Sequence, residues 1–140
     1  MMAAVSMNPT ILVINSGSSS VKFALFDDLE TLPRFWSGAI ERIGLPSARF
    51  HAVEANGAMP VERTADIADH SAAISLLLDA VERRAAGRPV AAVGHRVVHG
   101  GPDCDCPLIV TAALEERLRQ LIPLAPLHQP HNLAAVRALE

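Results

Sequence analysis

The sequence predicts an α/β fold, a mixed sheet covered by helices. Three observations predict it. Strand-like runs crowd the first half of the chain. The apolar period then changes from two to helical spacing near residue 70. A further strand-like run returns at residues 89–98, between helical segments.

Residues 10–15 (TILVIN) form a continuous apolar run that ends in a small polar cluster, as a buried strand does. Residues 21–26 (VKFALF) alternate, with Val21, Phe23 and Leu25 on one side and Lys22, Ala24 and Phe26 on the other. The serine-rich stretch between the two runs makes them an antiparallel hairpin. Further strands are expected at residues 34–43, 48–55 and 61–67, punctuated by Gly44, Pro46, Gly57 and Pro60.

Residues 70–86 read as a helix with an apolar stripe of Ile74, Leu77, Leu78, Val81 and Ala85, ended by Gly87 and Pro89. Residues 89–98 (PVAAVGHRVV) are expected to be a second buried strand. Thr111 is suited to cap a helix carrying Leu114, Leu118, Leu121 and Ile122, and Pro123 and Pro126 stop it. A last helix starts near Pro130, a natural first helical position, and runs through Leu133, Val136 and Leu139. It is still in progress at Glu140 with no cap, which suggests a fragment of a longer protein.

Composition narrows the function classes. Half of the residues are hydrophobic and 19% are charged, which excludes a disordered tail. The net charge is −3, with acidic and basic residues interspersed, so the basic stripe of a nucleic-acid binder is missing. The longest apolar runs fall far short of the roughly 20 residues of a membrane span. Residues 1–9 lack a basic residue and a signal-length apolar core, so a cytoplasmic location is expected. Cys104 and Cys106 lie too close in sequence for a good mutual disulfide and are expected to be free loop thiols.

Three segments carry chemistry. In residues 15–22 (NSGSSSVK), small residues let amides and hydroxyls crowd a phosphate, Gly17 offers a positive φ, Asn15 an oxygen for hydrated Mg²⁺, and Lys22 a charge. The Walker pattern is absent, and spacing alone equally describes a Ser/Gly turn with no ligand. In residues 94–101 (GHRVVHGG), Arg96 stands in an apolar strand with Val98 on its face. That pair suits a small carboxylate with an alkyl tail, or else Arg96 forms a structural ion pair. His95 and His99 share the other face, at a strand spacing too long for a compelling zinc pair. In residues 124–132 (LAPLHQPHN), two prolines lead into a helix N-terminus. There His128 could donate to a phosphate and Leu127 could line an apolar pocket; a rigid inter-helix turn is the alternative.

Taken together and in this order, VINSGSSSVKF, GHRVVHGG and LAPLHQPHN resemble the acetate kinase family, which includes propionate kinases. The resemblance runs from Thr10 onward and covers only the leading part of a family member. It implies the fold of the actin/Hsp70/sugar-kinase superfamily, two ribonuclease-H-like domains with nucleotide in the cleft between them. Residues 1–140 would be an incomplete N-terminal domain, with the nucleotide-binding C-terminal domain absent. By the same resemblance, Asn15 is the Mg²⁺-associated residue, Lys22 lies on the ATP side, and Ser18, Ser19 and Ser20 form the phosphate loop. Arg96 holds the carboxylate, Val98 and Leu127 line the acetate-methyl pocket, and His128 supports catalysis. Gln129 and His131 depart from the family's usual Leu-His-Asn-Pro-Pro-Asn.

The implied reaction is acetate + ATP ⇌ acetyl phosphate + ADP, in a parent that works as a homodimer. The family's later aspartate, histidine, second arginine and glutamate have no position here, so this polypeptide alone is expected to be inactive. A propionate kinase shares the motifs. From other classes, a non-catalytic phosphate-binding module and a gene remnant are the rival readings.

Overall fold

The computed structural model describes residues 8–97, 100–102, 104–124, 126 and 129–138, the last group without the side chains of 131, 134, 135 and 138. Six strands form one sheet: β1 (Thr10–Ser16), β2 (Ser20–Asp27), β3 (Arg34–Glu41), β4 (Ala48–Glu54), β5 (Val61–Ala65) and β6 (Val90–His95). Their spatial order is β5-β4-β3-β2-β1-β6. The first five form an antiparallel meander, and β6 adds parallel to β1. The hairpin expected from the two strand runs and the mixed sheet expected from the element order are both found.

One face of the sheet makes the core. Leu12, Ile14, Val21, Phe23 and Leu25 are buried there with Trp36, Ile40 and Phe50. Phe23 anchors an aromatic group, with ring centroids 5.1 Å from Trp36 and 5.8 Å from Phe50. Gly38, paired with Phe23 and Ala52, is required by this packing. A Cβ there would stand 2.0 Å from His51 O and 2.8 Å from the Phe23 ring.

Helix α1 (His70–Ala85) covers that face with Ala73, Ile74, Leu77 and Val81. Its start is set by Asp69, whose carboxylate accepts from Ala72 N at 2.8 Å. Its end differs slightly from expectation. Ala86 takes the left-handed conformation (φ 52°), and Gly87 follows with φ 84°. The helix returns the chain from β5, at one edge, to the opposite edge, where Pro89 O receives Thr10 N at 2.8 Å.

Two more α-helices and a 3-10 turn (Ile122–Leu124) complete the described structure. The helix expected to carry Leu121 and Ile122 ends earlier, at Arg119, and those two residues fall in the turns that follow. Thr111 caps α2 (Ala112–Arg119), accepting from Leu114 N at 3.2 Å. Helix α3 (Gln129–Ala138) begins at Gln129, one residue before Pro130, and buries Leu133 and Val136. Gln129 Nε2 donates to Leu118 O at 3.0 Å, and Glu115 pairs with both Arg119 and Arg137. These contacts fix α2 to α3, and α3 packs on α1 and on β1. Cys104 and Cys106 are free thiols.

Another expectation is corrected. The strand expected to be buried over residues 89–98 is regular only over β6 and is exposed from Val90 to Gly94. The cause is its position. It is the outermost strand, and α1 lies over the strands beyond β1. Val90 and Val93 are 40% and 39% exposed.

Candidate active site

Strands β1 and β6 run parallel, so both deliver their carboxyl ends to the same end of the sheet, where open α/β sheets bind ligands. β1 ends in Asn15 and Ser16, and β6 ends in His95. The serine-rich turn leaves β1 at this point and returns as β2.

The turn is held from inside by its carbonyls. Asn132 Nδ2 of α3 donates to Ser16 O at 2.8 Å. His70 Nε2, at the start of α1, donates to Gly17 O at 2.6 Å. Ile43 N donates to Ser19 O at 3.0 Å, and Gly17 N to Ser20 O at 2.7 Å. With these four acceptors occupied, the Ser18 and Ser19 side chains remain exposed. Ser20 is the first residue of β2, not a loop residue, and its Oγ would lie 3.0 Å from a Cβ at Gly17. The positive φ expected at Gly17 is not found. Glycine is favoured there by the close approach of Ser20.

Asn15 and Lys22 are direct cross-strand partners, so they share the sheet face opposite Ile14 and the core. Lys22 is exposed. On the other side of β1, Gly94 lies over Val13 on that outer face, with its Cβ position 3.7 Å from Val13 Cγ2. Arg96 is two residues on. Its N–H extends the ladder by donating to Ile14 O at 3.2 Å. Counted along the strand, Arg96 falls on the face of Asn15 and Lys22. The expected desolvation of Arg96 is not found. Its side chain is exposed, because β6 has no outer neighbour among the described residues. Val98, Leu127 and His128 lie outside the described residues, as does His99.

A cavity of about 320 Å³ opens beside Arg96, lined by His95, Leu108, Val110, Leu114 and Leu118 among others. Because β6 is an edge strand, residues of both its faces reach this space. The ring nitrogens of His95 are buried and have no hydrogen-bond partner among the described residues. Burial lowers the His95 pKa from the usual imidazole value, and the nearby Arg96 backbone opposes the shift in part.

His70 and Asn132 were not singled out by sequence. Each leaves a trace there. His70 stands in line with Ile74, Leu77 and Val81 on the buried stripe of α1, and Asn132 shares the buried face of α3 with Gln129 and Val136. A polar residue at a core position of an amphipathic helix is the signal.

A mixed sheet with helices on its core face, and two parallel strands opening onto a serine turn, defines a lobe of the ribonuclease-H-like type found in sugar kinases, actin and Hsp70-type ATPases. Comparison with known proteins makes this specific. The acetokinase family model matches residues 10–140. An acetate kinase of Syntrophobacter fumaroxidans is 44% identical over 138 residues, covering 92% of this chain and 33% of that protein. One from Streptomyces griseus is 42% identical over 131 residues, covering 90% and 32%. The crystal structure of Porphyromonas gingivalis acetate kinase superposes with a TM-score of 0.83 at 34% identity, over 94% of this chain and 34% of that one. A Francisella tularensis propionate kinase superposes with a TM-score of 0.81 at 30% identity, over 93% and 33%. The chain belongs to the acetokinase family, and it spans about a third of the length of these relatives.

Proposed function

We propose that this chain is the phosphate-loop and carboxylate-binding part of an acetate kinase, which interconverts acetate and ATP with acetyl phosphate and ADP. The observation that carries the reading is the inward fastening of the carbonyls of Ser16, Gly17 and Ser19, which leaves the Ser18 and Ser19 side chains exposed at the end of β1, the sheet end to which β6 also delivers Arg96. The Ser18 and Ser19 hydroxyls and the Ser18 N–H are the donors that a phosphate would meet there.

In the reaction an acetate oxygen attacks the γ-phosphorus in line, the bond to the β,γ-bridging oxygen breaks, and ADP leaves with the electron pair. Phosphoryl transfer relies on positioning and charge neutralisation. Arg96 would hold the carboxylate by its planar fork and offset its repulsion from the phosphates. Ser18, Ser19 and Lys22 would bind the phosphate chain, with Ser20 shaping the turn. Val98 and Leu127 would enclose the methyl group, and His128 would donate to the transferring phosphoryl group.

Magnesium enters this reading with the nucleotide. Among the described residues, no three His, Cys, Asp or Glu side chains are grouped to hold a metal. Asn15, directly across from the Lys22 cation, offers one neutral oxygen. That suits a hydrated ion carried on the phosphates, not a resident one. When bound, Mg²⁺ neutralises phosphate charge.

The similarity to a propionate kinase supports a second reading, in which the carboxylate is propionate. The free thiols support a cytoplasmic setting. No helix among the described residues is long and apolar enough to cross a membrane. A homodimeric whole enzyme rests on the family resemblance.

Isothermal titration of the chain with MgATP, then with acetate and propionate, tests the proposal. Binding of MgATP and of one carboxylate is expected, with Arg96→Ala abolishing only the latter. A hydroxamate assay for acetyl phosphate on the same chain should give no turnover. Failure to bind either ligand would remove the reading.

A further inference from the structure

The hydrogen bonds from His70 and Asn132 to the serine turn have a directional consequence. A trans peptide holds its C=O and N–H on opposite sides. Gly17 C=O points at His70, so the N–H of the same peptide unit, that of Ser18, points away from α1. The Ser18 N–H takes no part in the hydrogen bonds among the described residues. A carbonyl only accepts, so the His70 Nε2 atom carries the proton. Ser16 C=O points at Asn132, which aims the Gly17 N–H the other way, into Ser20 O.

Both donors are buried, His70 at 6% exposure and Asn132 at 0%, and they belong to different helices. Asn132 lies in the first turns of α3, directly after the segment containing Leu127 and His128. Ser16, whose carbonyl Asn132 holds, is itself buried, and its Oγ has no hydrogen-bond partner among the described residues. That hydroxyl leaves the backbone carbonyl as the hydrogen-bonded handle on the turn at this point.

We propose that His70 and Asn132 are positioning residues that turn the Ser18 amide outward to receive a phosphate oxygen, with Asn132 tying this geometry to the helix that follows the carboxylate-side segment. The inference rests on reading the serine turn as a phosphate site. Without the His70 donor, the Gly17–Ser18 peptide is free to flip and present its carbonyl to the ligand, which would repel an anion.

The test uses ¹⁵N-labelled chain titrated with MgATP, with the Ser18 amide resonance followed by NMR. In the wild type this resonance is expected to shift on titration. His70→Leu should weaken the apparent affinity roughly tenfold, the equivalent of one hydrogen bond. His70→Gln, which keeps an N–H donor, should recover most of it at a matched thermal midpoint. A purely structural role would lower stability and leave affinity alike in both variants. Asn132→Asp, which exchanges a donor for an acceptor of the same shape, gives the second reading of the same effect should His70→Leu unfold. Equal affinity in wild type and donor-less variants overturns this inference and leaves the phosphate site standing. No Ser18 response in the wild type overturns the phosphate site and the inference together.

Discussion

Asp27 and Arg88, 61 residues apart, form an ion pair that ties the end of β2 to the turn entering β6. Arg88 Nε also donates to Asn8 O at 2.8 Å, and its guanidinium lies 4.9 Å from the centroid of Phe35. The two charged side chains are only 12% and 21% exposed. One cation therefore fastens three separate segments beside the strand that leads to Arg96.

The Arg88→Ala variant should lose about 2–3 kcal/mol in urea denaturation, since a mostly buried carboxylate is left unpaired along with two other lost contacts. Arg88→Lys should recover only part of this, because an ammonium cannot form the fork and stack together. A loss under 0.5 kcal/mol, within the range of an exposed pair, would show that the clamp is ornamental.

Gly38→Ala should be among the most damaging single changes. The added carbon would meet backbone at His51 O and Ala52 Cα, not the flexible tip of a side chain. A cost above roughly 3 kcal/mol, or insoluble expression, is expected. Gly57→Ala is the comparison. It has open space around it, and only its φ of 81° opposes a side chain, so about 1 kcal/mol is expected.

Ala86→Gly should raise stability by up to about 1 kcal/mol. Ala86 ends α1 in the left-handed region, where an L side chain is strained and glycine is not. A rise in thermal midpoint checks it, and a fall would mean that unfolded-state entropy outweighs the strain.

The elements legible in sequence were those that local pattern determines. The alternation of Val21, Phe23 and Leu25, the stripe of α1 and the Thr111 cap each depend on neighbours within a few residues. What could not be read depends on distant packing. Val90 and Val93 look like core residues until β6 is found at the edge, and the same placement exposes Arg96. Gly17 suggested a special φ, whereas its constraint comes from the Ser20 side chain across the turn. The positions of Asn15, Lys22 and the serines were legible because they lie within one hairpin. His70 and Asn132 were not, because they reach the turn from 53 and 116 residues away.

His95 gives a pH dependence of known sign. Its pKa in the folded chain lies below the unfolded value of roughly 6.5, chiefly through burial. Between those two values the unfolded chain binds the proton and the folded chain does not, so stability falls as pH drops through this window. Above it the contribution is complete. His95→Phe should remove this part of the pH dependence, so that the variant gains on the wild type between pH 7.5 and pH 5.5, at about those two readings, in urea midpoint. Parallel profiles would show that the imidazole stays neutral in both states or is solvated in the fold.

The two edges of the sheet are chemically unlike, and that difference predicts how the chain associates. The β5 edge carries Glu62 and Arg63, with Glu62 paired to Arg49, the kind of charge that discourages strand addition. The β6 edge offers Val90, Ala91, Ala92 and Val93 with no lysine, proline or helix over it among the described residues. Unpaired N–H and C=O groups on such a strand template another chain, and the sequence's mean hydropathy of +0.26 adds to the drive. Light scattering should therefore show a mass that rises with concentration. Val93→Lys should shift the distribution toward the monomer, while Val61→Lys on the opposite edge should leave it unchanged. A wild-type chain that stays monomeric across the series would mean that β6 is protected in solution by the segments around it, and that the edge carries no association.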